Sequence, residues 1–204
     1  MSSPIPPETL PLIASPGIRT YWNPGRASWM ATVGPGEFCV AREGLVLTTV
    51  LGSCIAACIY EPEAGLGGLN HFLLPLGKVG EPAAAAMRYG AFAMERLINE
   101  IIKNGGIRRN LKAKIFGGGR LLGRKADVGS ENIAFARSYL HDEGVTVVAE
   151  DVGGDFARKL EFYPAEGRAR VKKLIGDRRA FEDESGYLKR AAQPPPPDGG
   201  IELF

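Results

Sequence analysis

Runs of short apolar strands set around two amphipathic helical segments predict an α+β fold, a layered α/β/β sandwich with mostly antiparallel strands and two main helices. Three observations carry that class. Strand-like segments come in runs before the first helix and after the second, whereas a βαβ fold would alternate them one for one. Glycine and proline separate the strands at the short intervals of tight reversals. Apolar residues make up 45 % of the 204 residues, enough for a sizeable core.

The elements follow in order. Glu37 to Ala41, Leu45 to Leu51, Cys54 to Tyr60 and Leu66 to Leu74 read as strands, apolar and rich in β-branched residues. Ala83 to Lys103 reads as a helix, because Met87, Ala91, Met94, Leu97, Ile98, Ile101 and Ile102 keep three-to-four spacing until Gly105-Gly106 stops it. Leu111 to Phe116 is a strand that runs into Gly117-Gly118-Gly119. A second helix starts near Ser130, whose hydroxyl suits a cap, and ends at Gly144. Val145 to Asp151, Arg158 to Tyr163 and Arg168 to Leu174 complete the strands.

Proline marks the ends of the chain. Seven of the 15 prolines lie in residues 1–36 and four form the run Pro194–Pro197. The expected organisation is a Pro-rich arm over 1–36, a folded domain over 37–182 and a Pro-rich tail over 183–204. Trp22 and Trp29 give the arm a means of packing on the domain.

Composition excludes several functions. With 25 basic and 23 acidic residues the formal charge is +2, neither a basic nucleic-acid coat nor an acidic solvating chain. Three cysteines, Cys39, Cys54 and Cys58, are too sparse and too odd in number for a secreted disulfide scaffold. Gly44 to Tyr60 is a 17-residue stretch without formal charge, near the length of a spanning helix. Its centre holds Thr48, Thr49, Gly52, Ser53 and Cys54, and no basic cluster flanks it, so strands rather than membrane insertion are expected. No signal peptide is read at the start, where prolines interrupt the chain and the first basic residue is Arg19, and the expected location is the cytoplasm.

Chemistry centres on a cysteine and a histidine. His141 ends the second helix beside Asp142 and Glu143, where its charge suits the helix terminus and a surface position is expected. His71 lies in the middle of an apolar strand, 17 residues after Cys54. That separation lets one strand run out, turn at Pro62 to Gly65 and return antiparallel, which brings the two side chains within reach. A thiol beside an imidazole is a nucleophile with its base, and glycines at 52, 67 and 68 would admit a substrate amide closely. Zinc is a competing use of Cys54, Cys58 and His71, but Cys-x-x-x-Cys in an apolar strand lacks a knuckle turn and a fourth ligand, and no metal is expected. Cys39 and Cys58 read as small core residues. Gly117-Gly118-Gly119 is followed by no Lys-Ser/Thr and suits a tight turn beside a site rather than a phosphate loop. Between Glu100 and Asp127 stand eight basic residues and no acidic one: Lys103, Arg108, Arg109, Lys112, Lys114, Arg120, Arg124 and Lys125. They read as a solvated surface or a docking face for an acidic protein; without interleaved aromatics, nucleic acid is not expected.

Several ordered blocks resemble the CheD family of chemoreceptor glutamine deamidases. They are Leu51-Gly52-Ser53-Cys54, Gly67-Gly68-Leu69-Asn70-His71-Phe72-Leu73-Leu74-Pro75, Lys114-Ile115-Phe116-Gly117-Gly118, Asn132, Val148 to Gly154, Arg158 to Phe162 and Gly167 to Leu174. The resemblance spans roughly residues 37–175. It implies an α+β sandwich and a cysteine hydrolase that converts chosen glutamines of methyl-accepting chemotaxis receptors to glutamates, releasing ammonia without a cofactor. It implies Cys54 as nucleophile, His71 as base and Thr48, six residues before the cysteine, as the residue that orients the imidazole. Ser53, Asn70 and Phe72, inside the same blocks, are expected to contact substrate. A CheC-type phosphatase is the implied partner. Glu131 departs from the family pattern, which commonly has a basic residue before Asn132. Two alternatives stand beside this reading: a non-catalytic module that regulates a CheC phosphatase, and a receptor glutamyl methylesterase at the same site.

Overall fold

A computed structural model describes residues 13–74, 83–120 and 128–175. Eleven strands form two sheets among these residues, and two α-helices cover one of them. The strands are β1 (Ile13–Ala14), β2 (Thr20–Asn23), β3 (Ser28–Thr32), β4 (Phe38–Ala41), β5 (Leu45–Leu51), β6 (Ile55–Glu61), β7 (Leu66–Phe72), β8 (Lys112–Gly117), β9 (Thr146–Val152), β10 (Ala157–Tyr163) and β11 (Arg168–Leu174). The helices are α1 (Ala83–Lys103) and α2 (Val128–Asp142). Sheet one runs β1-β4-β7-β6-β8-β9 and sheet two runs β11-β10-β5-β3-β2. Only β3–β5 and β8–β9 pair in parallel, so the layered α/β/β sandwich of mostly antiparallel strands is the observed architecture.

Alternation along each strand of sheet one builds two cores. Ile55, Ala57 and Ile59 of β6 face the helices and join Met94, Leu97, Ile98 and Ile101 of α1 and Ile133, Ala136 and Leu140 of α2. Cys54, Ala56, Cys58 and Tyr60 face the other way and join Leu45, Leu47 and Leu51 of β5 and Leu160 and Phe162 of β10. The second core is sheet against sheet, and it holds the chemistry.

Three sequence expectations change. Residues 1–36 were set apart as an arm, yet β1 extends sheet one and β2–β3 complete sheet two, with β3 alongside β5. The folded unit therefore begins well before residue 37, and Trp22 and Trp29 meet edge-on within it. The second helix begins at Val128, which puts Ser130 inside its first turn rather than at the cap. Met87, expected on the apolar seam of α1, is exposed, whereas Gly90 is buried where Leu74 and Phe135 leave no room for a Cβ. The tail over 183–204 lies outside the described residues.

Candidate active site

The β6–β7 hairpin places the two chemical residues. It pairs Glu61 with Leu66 and Ile55 with Phe72, closing through the turn expected at Pro62 to Gly65. Cys54 immediately precedes Ile55, and His71 sits opposite Ala56. Side chains alternate, so Cys54, Ala56 and His71 share one face of sheet one, with Cys54 diagonal to His71. Both are buried in the gap between the sheets.

Across that gap stands β5. Leu47, Thr49 and Leu51 alternate inward, and the Thr49 hydroxyl lies 2.9 Å from Nδ1 of His71. The same hydroxyl donates to the Val33 carbonyl at 2.7 Å. Its single hydrogen is thus committed to Val33, so Thr49 accepts from His71 and the network assigns the Nδ1–H tautomer. Nε2 is then the unprotonated nitrogen, and it has no hydrogen-bond partner among the described residues. Burial pushes the His71 pKa down to about 4, opposed by the hydrogen bond to Val33. The ring is neutral at pH 7 and carries a lone pair on the nitrogen away from Thr49.

Thr48 does not fill the role expected for it. Its hydroxyl donates to the Leu160 carbonyl at 2.8 Å, and its register partner is Glu161 on the outer side of sheet two. Of two adjacent strand residues only one can face inward, and here it is Thr49. Asn70 and Phe72 also face away from the cleft, because they flank His71 on β7. Asn70 accepts from the Ala57 N–H at 3.1 Å and donates to the Ala93 carbonyl at 3.1 Å, anchoring α1 to the sheet. Phe72 packs edge-on against Phe135 of α2, ring centroids 5.7 Å apart. Both make framework contacts on the helix side of sheet one. Gly68 likewise serves packing: a Cβ there would lie 2.6 Å from Leu97 of α1. Ser53 is buried in the loop that carries Cys54.

That loop is held at three successive carbonyls. Gly119 N–H donates to the Gly52 oxygen at 2.7 Å, Asn132 Nδ2 to the Ser53 oxygen at 3.0 Å, and Gly118 N–H to the Cys54 oxygen at 2.8 Å. The glycine run read as a turn beside a site lies against Cys54 itself. Gly117 has φ +108°, and a Cβ there would come within 2.1 Å of the Cys54 oxygen, so no other residue fits. Asn132, fully buried, uses its other end to accept from the Leu74 N–H at 2.8 Å, just past the histidine strand. Sequence reasoning gave Asn132 no place in the site. The signal was its stripe: Asn132, Ala136 and Leu140 recur four apart, and an amide in an apolar seam must have partners.

The remaining candidates separate cleanly. Burial pushes the Cys39 thiol up to about 12 and the Cys58 thiol well above its ordinary value, so both stay protonated in the core. His141 is exposed at the end of α2, beside Asp142. Among the described residues no group of three His, Cys, Asp or Glu side chains is arranged to hold a metal ion, and no helix is long and apolar enough to cross a membrane.

Residues 73–173 match the family described as CheD chemotactic sensory transduction. A probable chemoreceptor glutamine deamidase CheD of Halorhodospira halophila is 42 % identical over 195 residues, covering 92 % of this chain and 90 % of that one. The protein of the same description from Rhizobium meliloti is 49 % identical over 174 residues, 83 % of this chain and 92 % of its own. That from Caulobacter vibrioides is 48 % identical over 167 residues, 80 % and 87 % of the two chains. With the Cys54 loop, the His71 strand and the glycine cradle inside a match of this length, the chain belongs to the CheD family.

Proposed function

We propose that this protein deamidates glutamine side chains of chemoreceptor cytoplasmic domains by thiol-based acyl transfer, acting in the cytoplasm, with a CheC-type phosphatase as a further partner. The observation that supports it best is the tautomer set by Thr49, which leaves a basic Nε2 on the face of the sheet that carries Cys54. The neutral ring favours general-base attack over a preformed ion pair.

In this reading the Cys54 Sγ–H proton passes to His71 Nε2 as sulfur bonds to the carboxamide carbon. Main-chain N–H groups of the Ser53–Cys54 loop are the candidate donors to the oxyanion, on a loop stiffened by its three bonded carbonyls. The imidazolium returns its proton to the amide nitrogen, the C–N bond breaks and ammonia leaves. His71 next takes a proton from water, whose oxygen attacks the thioester carbon; the C–S bond breaks, the imidazolium returns its proton to the Cys54 sulfur and glutamate departs. Thr49 accepts from Nδ1–H throughout, the task an acid or amide performs in other triads. Ser53 stays a candidate substrate contact through its backbone.

The test is peptide mass spectrometry of receptor cytoplasmic domains after incubation with the wild type and with Cys54→Ala, ammonia being followed in parallel. Glutamine-to-glutamate conversion by the wild type alone is the expected result. Conversion by neither protein, both folded and reduced, would overturn the enzyme reading in favour of a regulatory binding module.

A further inference from the structure

Sheet two carries a pocket on its outer face, opposite the catalytic gap. It encloses about 330 Å³ and is lined by Arg26, Lys159, Glu161, Arg170 and Lys172. Alternation builds it. Leu160 and Phe162 point into the core, so Lys159 and Glu161 point out, and Arg170 and Lys172 stand beside them on β11.

Four features mark this pocket. Lys159 and Lys172 are direct cross-strand partners, a like-charge pairing that opposes sheet formation. Neither they nor Arg170 forms an ion pair among the described residues. Arg26 reaches Glu161 Oε1 at 3.1 Å from a turn in which Ala27 adopts φ 46°, the left-handed region that disfavours residues with a Cβ. Glu161 Oε2 has no partner among the described residues, although that side chain is only 10 % exposed. In the basic run between 101 and 126, three of the six described basic residues are paired: Lys103 with Glu100, Arg108 with Glu143 and Arg120 with Asp155.

We propose that this pocket docks an acidic, extended segment of a protein partner. Carboxylates of the segment would sit on Lys159, Arg170 and Lys172, relieving the repulsion across β10–β11. A main-chain N–H of the same segment would donate to Glu161 Oε2, which a bare anion such as sulfate cannot do. The pocket and the catalytic site share strands but not faces: Glu161 opposes Thr48, which points outward, while Thr49 points at His71. Docking here leaves the cleft open.

The probe is fluorescein-labelled hexaglutamate, followed by anisotropy with the full-length protein, with labelled hexaglutamine as control. Wild type is expected to bind hexaglutamate in preference to hexaglutamine, more weakly as salt rises. Lys172→Glu, which turns the like-charge pair into an opposite-charge one, and Arg170→Gln are each expected to weaken binding by about tenfold or more. Thermal melts establish that both variants are folded. Three results overturn the proposal: no preference for the acidic peptide, affinity unchanged in both folded variants, or complete displacement of the peptide by sulfate at equal concentration. The last would make the pocket a small-anion site.

Discussion

His71 shows how little separates a structural histidine from a base. It is buried, it lies in a strand, and the acceptors Thr49 and Val33 at Nδ1 fix its tautomer. Replacing Thr49 with Val keeps the shape but frees Nδ1–H and Nε2–H to compete, so turnover should fall by up to about a hundredfold in kcat. Thr48→Val, removing only the bond to Leu160, should leave kcat nearly unchanged. The opposite outcome would restore Thr48 as the orienting residue. The pH dependence follows from the same burial. With its folded pKa lowered to about 4 against an ordinary 6.5, His71 remains a base in acid, and the acid limb of kcat/KM should lie well below pH 6. Because the unfolded chain takes up that proton first, His71's contribution to stability is constant above pH 6.5 and is lost as pH falls from there towards 4. A pH–rate profile and urea melts at pH 4.5 and 7 check both. The cysteine–histidine pairing was legible in the sequence because hairpin spacing alone sets it. The choice between Thr48 and Thr49 was not, since counting residues from the cysteine says nothing about which side of β5 faces inward.

At the scale of elements, the strands and α1 were legible because period-two and three-to-four patterns report burial directly. The first three strands were not, because prolines and glycines in residues 1–36 advertise loops while the strands between them are short. The role of the glycine run was half legible: a turn beside a site was expected, but not that its backbone would clamp the loop of Gly52, Ser53 and Cys54. Gly117→Ala tests the clamp. Its Cβ would strike the Cys54 oxygen in a backbone conformation alanine avoids, so a loss of about 3 kcal/mol in unfolding free energy is expected, with kcat reduced in the folded fraction. Unchanged stability would mean that the loop yields easily and is not held rigid by its cradle.

Across the whole molecule, the two sheets are tied at the catalytic end by Arg158. It is almost fully buried on β10, and it crosses to sheet one, where Nε donates to Asp151 at 3.0 Å and Nη2 to the Gly153 carbonyl. Gly153 in turn donates to the Gly117 carbonyl, so the tie reaches the cradle. Arg158→Met should cost about 2 kcal/mol, less than the loss of a fully buried pair, because the Asp151 carboxylate is a third exposed and regains water. For a unit of this size that is a drop of roughly 4–8 °C in Tm by calorimetry. No drop would show that packing alone joins the sheets. The sequence displayed an arginine at the start of a strand and gave no sign of its burial. Asp151 and Gly153, seven and five residues away, become its partners only when the turn between β9 and β10 brings them back across the gap.

The three carbonyls of Gly52, Ser53 and Cys54 are held by donors that the ribosome adds some 65 to 80 residues later, at Gly118, Gly119 and Asn132. A nascent chain that has just completed β7 already owns its thiol and imidazole, on a hairpin able to form locally, but has nothing to mould the loop between β5 and β6. Vectorial synthesis thus separates possession of the thiol and imidazole from their arrangement. The reactive pair is assembled early and armed late, once α2 has closed over the sheet.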